Sequence, residues 1–494
     1  MLQSYSHDSA NAFPSKPPIL KLDEDILWRV FMINTKTVMP ADKSRHPLST
    51  CRHSSQVCRL WRSIILGSPA LWGRLVDLDH LNGKNSCWRD EILCRSGDAV
   101  LWVRGHVRDR HMWEYLLSIC DTHLARIQHL QITIAYTKSY QADRSRLSDA
   151  LHRPAPLLTT FKFEGNIGGS LGSPLPLFAN VAPLLEVFVA GGFKFNLCAP
   201  WLSNLREICI SEFFALADVL AALKFMPFLE CICLNELDKV HKEMVQLTPL
   251  PSVHLPQLRI LEIESVPLHI CLLILEHLSP AGGCSLQLSI QDNYPYQGKT
   301  NKMLRAASEQ LSRYIQQCIT FQAASSIQLF CDSERFQLFL YNGDKLHFGI
   351  ETHGCWDFLQ IFLVYIALSS FISLVTEAGL TLSDPPPHIL VQLTLLLGSL
   401  GSVTTLNISE LELKCAHSIM TNMNNPFPKL HTVVLDHILE KDESVIEVFL
   451  EQREAIGLPV SVLDLTKVSF GIPNHLNFLK GMSGLKVLES NEEL

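Results

Sequence analysis

The chain has 494 residues, 47% hydrophobic and 18% charged, which describes a globular chain with material for several cores rather than a disordered one. A net charge of -8 and a pI near 6.2 argue against a general nucleic-acid binder, which needs a basic face. The 15 cysteines are odd in number and form no Cys-x-x-Cys pair, so they fit reduced thiols of the cytosol or nucleus better than a disulfide framework.

Residues 1–17 read as a polar, Pro-bearing, flexible tail without the apolar core of a signal peptide, so secretion is not expected. A first helix follows at 22–31, where Leu22, Ile26, Leu27, Val30 and Phe31 line one face. Asp23, Glu24 and Asp25 sit where carboxylates meet the unpaired N–H groups of a helix start. After a long loop, 34–49, Val57, Leu60, Trp61, Ile64 and Ile65 recur at helical spacing. Gly67-Ser68-Pro69 stops that helix, Gly67 by a left-handed cap and Pro69 because it cannot continue the ladder; Leu71 and Trp72 follow.

These three pieces resemble an F-box, whose pattern is Leu-Pro-x-Glu-(Ile/Leu)-Leu-x-x-(Ile/Val)-Phe, a loop, Val-Cys-(Arg/Lys)-x-Trp-Arg, then Ser-Pro-x-Leu-Trp. The second and third parts match at every fixed position (Val57-Cys58-Arg59-Leu60-Trp61-Arg62 and Ser68-Pro69-Ala70-Leu71-Trp72). The first departs at Asp23, where the family has Pro, and at Asp25, which replaces Glu. The resemblance covers about residues 20–72, is nearest to the F-box proteins expanded in mushroom-forming fungi, and sets an F-box at 18–78.

The family docks on the adaptor Skp1, which hangs from a cullin that also carries a RING protein. The resemblance therefore implies a non-catalytic substrate-recognition subunit of a ubiquitin ligase. Leu22, Ile26, Leu27, Val30, Phe31, Val57, Cys58 and Trp61 are the residues it assigns to the adaptor contact, although some must pack the small core of the F-box itself. A Skp1-bound scaffold outside a ligase, and a repeat protein with no ligase role, stay open beside it.

Residues 79–123 read as a mainly helical connector, with helices at 88–95 and 111–126, a short strand at 73–78 before them and another at 101–104 between them. The basic run 104–111 is interrupted by Asp109 and reads as a solvated turn. From 124 to 494 a unit Leu-x-x-Leu-x-Leu recurs. It stands at Ile127, Leu158, Leu205, Leu229 and Leu258, again at Val403, Leu430 and Val460, with degenerate copies at Leu185 and Leu485. Neighbouring starts within each run are roughly 20 to 31 residues apart, a leucine-rich-repeat spacing. One such strand cannot bury its inner face alone, so stacked copies form a parallel sheet with helical return segments, as at 215–224, 270–278 and 444–456. Pro227, Pro256 and Pro428 mark the turn before a strand. Where leucine-rich repeats usually place a turn Asn, this chain has Phe213, Leu237, Val266, Leu411, Ile438 and Val468, which predicts an irregular solenoid.

The repeat fades between about 280 and 400. Strands are expected at 285–290 and 326–330, a longer helix at 303–320, and a hairpin, 336–341 with 345–350, around Asn342-Gly343. The uncharged stretch 358–375 is long enough to span a bilayer but lacks basic flanks and lies between repeats, so it reads as a buried core helix and no membrane partner is expected. The expected fold is thus α/β, a small all-helical F-box followed by an irregular leucine-rich-repeat-like solenoid.

No catalytic, cofactor or metal site is expected. Gly168-Gly169-Ser170-Leu171-Gly172 has the Gly-x-Ser-x-Gly spacing of a hydrolase elbow without the strand and helix it needs. Gly298-Lys299-Thr300 lacks the earlier Gly of a phosphate loop, and Cys231-x-Cys233 has no His at ligand spacing. A target protein is the remaining partner, and outward strand positions such as Arg259, Glu262 and His431 are candidates for its surface.

Overall fold

The computed structural model describes residues 22–35, 46–83, 86–134, 144–165, 176–190, 193–211, 213–237, 250–280, 282–291, 301–321, 324–421, 426–438, 445–468 and 474–489. The tail 1–17, the Gly168–Gly172 loop and Gly298-Lys299-Thr300 lie outside them. The protein is mixed α/β, and its contacts divide it into two compact units, Met1–Trp201 and Leu202–Leu494.

The first unit opens with four helices, α1 (Glu24–Asn34), α2 (Pro47–Ser54), α3 (Arg59–Leu66) and α4 (Pro69–Gly73). Helix α2 occupies part of the stretch read as loop; Pro47 starts it and the His46 side chain caps it by accepting from the Leu48 N–H. Val57 is not helical, because Cys58 is the N-cap of α3, its Sγ accepting from the Trp61 N–H at 3.5 Å. Gly67 is not left-handed either (φ -82°). A glycine is needed there because a Cβ would stand 2.9 Å from the Ser63 carbonyl oxygen.

Strand β1 (Val76–Asp77), helices α5 (Leu78–Leu81) and α6 (Ser86–Arg95), strand β2 (Leu101–Val107), helix α7 (Arg110–His123), strand β3 (Ile127–Ile134), helix α8 (Arg144–Leu151) and strands β4 (Thr160–Glu164) and β5 (Val187–Ala190) complete the unit. The five strands pair in sequence order, all parallel. Their register aligns Val76, Val103, Leu130, Phe161 and Phe188 in one fully buried row. Phe161 stacks on Phe188 at 5.5 Å and Phe188 meets Trp201 at 5.0 Å, so aromatic rings fill the core. The basic run is partly on β2 rather than in a turn, and its side chains are paired: Arg104 with Asp77, His106 and Arg108 with Asp79, Arg110 with Glu114.

The second unit contains strands β6 (Glu207–Ile210), β7 (Cys231–Asn235), β8 (Val253–Leu255), β9 (Ile260–Val266), β10 (Leu278–Pro280), β11 (Ser285–Gln291), β12 (Ser326–Cys331), β13 (Arg335–Asn342), β14 (Lys345–His353), β15 (Glu377–Leu382), β16 (Thr405–Ile408), β17 (Thr432–Leu435), β18 (Val462–Asp464) and β19 (Lys486–Leu488). Strands β8 and β10 form a separate parallel pair. The rest make one sheet, β6-β7-β9-β11-β14-β13-β12-β15-β16-β17-β18-β19, parallel except for β13, which is antiparallel to both neighbours. Return helices are α9 (Leu216–Leu223), α10 (Leu268–His277), α11 (Asn301–Phe321), α12 (Trp356–Ala367), α13 (Leu390–Ser399), α14 (Glu410–Met420) and α15 (Val445–Ala455).

The repeat seen in the sequence has a hydrogen-bonded counterpart. In most copies the first apolar residue closes a turn by donating its N–H three residues back, as in Leu205 to Leu202, Leu258 to Leu255 and Leu430 to Phe427. The next residue but one at most then donates to the equivalent place one copy earlier, as in Arg259 to Glu230 and His431 to Thr404. Where the turn Asn is replaced, Leu237, Val266 and Ile438 are buried instead, and Glu236 and Ser265 take left-handed backbone (φ 53° and 54°). Arg453, buried on α15, donates to the carbonyls of Pro426 and Phe427 and so satisfies another turn.

The faded region keeps the inward pattern. The hairpin β13–β14 adds strands without breaking the row Leu261, Leu286, Phe348, Leu340, Ile327, because a strand's side chains alternate whichever way it runs. The uncharged stretch is not one helix: α12 ends at Ala367, Ser369 donates to the Tyr365 carbonyl, and a short 3-10 turn follows at Ser370–Leu374. Phe358, Leu359, Phe362, Leu363 and Ile366 are buried, and no helix among the described residues is long and apolar enough to cross a membrane.

Candidate functional site

Helix α1 carries apolar groups on two faces. Leu27, Phe31 and Met32 turn inward and are buried against α2 and α3, where the Phe31 ring meets Trp61 edge-on at 5.2 Å. Trp28 Nε1 donates to Ser68 Oγ at 2.8 Å, and Trp72 Nε1 donates to the Ile65 carbonyl at 2.9 Å. With Ile65, Leu71 and Trp72 also buried, the small core of these helices is complete.

Ile26, Val30 and Ile33 follow one another at spacings of four and three, so they share the other face. They are 46%, 43% and 65% exposed, and Val57 on the turn before α3 is 63% exposed. A helix apolar on both sides belongs in an interior. Elsewhere among the described residues a helix shows at most two such groups, as at Val391 and Leu395 on α13. Each of these side chains, once covered, is worth roughly 1–2 kcal/mol.

The eight residues assigned to this face from the sequence therefore divide. Ile26, Val30 and Val57 are open to solvent; Leu27 and Phe31 are core; Leu22, Cys58 and Trp61 are half-buried, with Cys58 engaged in capping and Trp61 in packing on Phe31. Sequence reading missed Ile33, whose signal was its place three residues after Val30, and the partly exposed Trp28.

Behind these helices lies a buried polar knot. Asp77 on β1 is fully buried; its Oδ2 accepts from His46 Nε2 at 3.0 Å and Arg104 Nε at 3.3 Å, and its Oδ1 from the His80 N–H at 3.1 Å. Burial by itself pushes this carboxyl up. The hydrogen bonds from His46 and the His80 backbone, with the Arg104 charge, outweigh it and hold the group below the usual carboxylate range. His46 Nδ1 takes the Leu48 N–H, which leaves Nε2 to donate to Asp77. Gly105 on β2 lets α5 come close: a Cβ there would stand 3.0 Å from the Asp79 backbone nitrogen. One carboxylate thus ties α2, α5, β1 and β2 together.

In the second unit the outward side chains of the sheet form a face of different chemistry. One register row runs Cys209, Cys233, Glu262, Gln287, Gly349, Phe339, Gln328, Gly379, Asn407. A groove of about 390 Å³ opens over its later part, lined by Gln328, Phe330, Phe339, Glu377, Gly379 and Asn407, with Asp436 and Lys467 beyond. Asn407 Nδ2 donates to Glu377 Oε1 at 2.7 Å, and the absence of a side chain on Gly379 gives the groove its floor. Of the outward positions named from the sequence, Glu262 belongs to this row, while Arg259 and His431 lie at strand starts, exposed, Arg259 reaching Glu230 at 3.7 Å. No protein-family model and no curated protein matches this chain.

Proposed function

We propose that this chain is the substrate-recognition subunit of a Skp1–cullin–F-box ubiquitin ligase, with the outer face of helix α1 and the Val57 turn docking Skp1. The observation that carries the reading is the second apolar face of α1, left open although the helices have a filled core of their own. It stands together with the F-box pattern from Val57 to Trp72. In this role the protein breaks no bond. It holds a target so that target lysines stay near the activated ubiquitin, a gain in effective concentration. The target-reading surface in this proposal is the outward face of the second unit's sheet, with the groove around Gly379 as its centre.

The test is co-purification of the full chain with Skp1, beside the double variant Val30→Asp/Val57→Asp. Both positions are exposed, so the variant keeps its circular dichroism and melting profile, unlike one at the half-buried Trp61. Retention by the native chain with at least a tenfold loss in the variant is expected. Failure of the folded native chain to retain Skp1 overturns the proposal.

A further inference from the structure

The Cys231-x-Cys233 pair looks inert in one dimension, because the sequence offers no His at ligand spacing to it. Tertiary structure supplies different partners. In register, Cys233 on β7 lies between Cys209 on β6 and Glu262 on β9, and Glu264 stands two residues further along β9 beside Asn235. All four side chains are on the outward face, half-buried. Cys209 and Cys233 are in register on adjacent parallel strands, so their thiols leave the sheet side by side. Cys233 Sγ and one oxygen from each of Glu262 and Glu264 lie within 4.8 Å of one another. We propose that Cys209, Cys233, Glu262 and Glu264 form a site for a divalent transition metal of the zinc class, bridging strands β6, β7 and β9.

The donor chemistry selects the ion. Thiolates favour zinc over calcium or magnesium, which take oxygen ligands alone and in greater number. The count of four matches a closed tetrahedral shell. Zinc bonds of about 2.3 Å to sulfur and 2.0–2.2 Å to oxygen put neighbouring donors roughly 3.3–3.8 Å apart. Cys233 and the two carboxylates, already within 4.8 Å of one another, close on the ion by rotation of two long glutamate side chains, and Cys209, which stands outside that cluster, by rotation about its Cα–Cβ bond, without moving the strands. The neighbouring cations are engaged at the strand starts, Arg206 with Glu230 at 2.5 Å and Arg259 with Glu230 at 3.7 Å. Cys231, by contrast, is in register with Glu207 and Ile260, and Ile260 offers no donor. The bound ion would be a clamp across three strands, set by residues 55 positions apart in the chain (209 to 264). This inference is independent of the Skp1 proposal.

Cobalt(II) is the probe, since it takes zinc's place in tetrahedral sites and its thiolate bonds are seen by a charge-transfer absorption. The full chain, stripped of metal and kept reduced, is titrated with cobalt and then with zinc. Saturation at one cobalt per chain is expected, with a thiolate band that zinc abolishes. Cys233→Ser and Cys209→Ser should each remove or weaken the band, Glu262→Gln/Glu264→Gln should keep it but weaken binding at least tenfold, and Cys231→Ser should change nothing. Circular dichroism of each variant confirms that it is folded, and the isosteric glutamine pair carries the test if a serine variant is not. A titration without a saturable thiolate band, a band that survives Cys233→Ser, or affinity untouched by the glutamine pair overturns the proposal.

Discussion

Isoleucine does opposite work in two parts of this molecule. In the second unit's sheet, Ile232, Leu261 and Leu286 stand in one register row and are fully buried, each covered by its neighbours and by return helices. On α1, Ile26 and Ile33 face away from a core that Leu27 and Phe31 already fill. The first arrangement is closed by the chain itself, and the second is left open. An apolar residue's role thus depends on what its own fold has left to cover it, and its identity alone does not decide.

Substitutions can break that contrast at graded cost. The largest effect is expected at the stacked core: Phe161→Ala should destabilise the first unit by about 3–5 kcal/mol, and chemical denaturation of the full chain should show it as a lowered midpoint for the transition that involves this unit. An effect within experimental error would mean that the aromatic row is not a packed core.

The next is at the polar knot. Asp77→Asn should cost on the order of 3 kcal/mol at neutral pH, since it breaks a buried ion pair. The sign follows from the depressed carboxyl: its contribution is fully present above the unfolded value, about pH 4, and is lost as pH falls through the lower folded value. The difference between native and variant stability should therefore stay constant from pH 7 to about pH 5 and close on further acidification. A gap that widens in acid would contradict the assigned environment.

The smallest is on the open face. Ile26→Ser should change the stability of the chain alone by no more than about 0.5 kcal/mol, against roughly 2–5 kcal/mol for Leu261→Ala in the covered row. A large loss at Ile26 would show that this face is already covered within the chain, and the docking proposal would lose its support.

Much of the strand order was legible. The unit Leu-x-x-Leu-x-Leu marks β3, β4, β6, β7, β9, β16, β17 and β18 because a strand's alternation and the turn before it are both local. Asn342-Gly343 marked the hairpin for the same reason. Helix α2 escaped because Pro-Leu-Ser-Thr-Cys-Arg-His-Ser has little apolar periodicity; it depends on Pro47 and the His46 cap for its start and on Leu48 and Cys51 for its burial. Leu22, Ile26, Leu27, Val30 and Phe31 were one stripe in sequence, but the packing of α1 on α2 and α3 sorted them into core and surface.

By itself, then, the sequence determined the alternating strands, the turns that precede them and the helical punctuation, all of which arise from contacts within a few residues. Only the tertiary structure decided which apolar residues of α1 remain uncovered and that Asp77 gathers His46, His80 and Arg104. Those outcomes depend on how elements distant in the chain pack against one another, which no local pattern encodes.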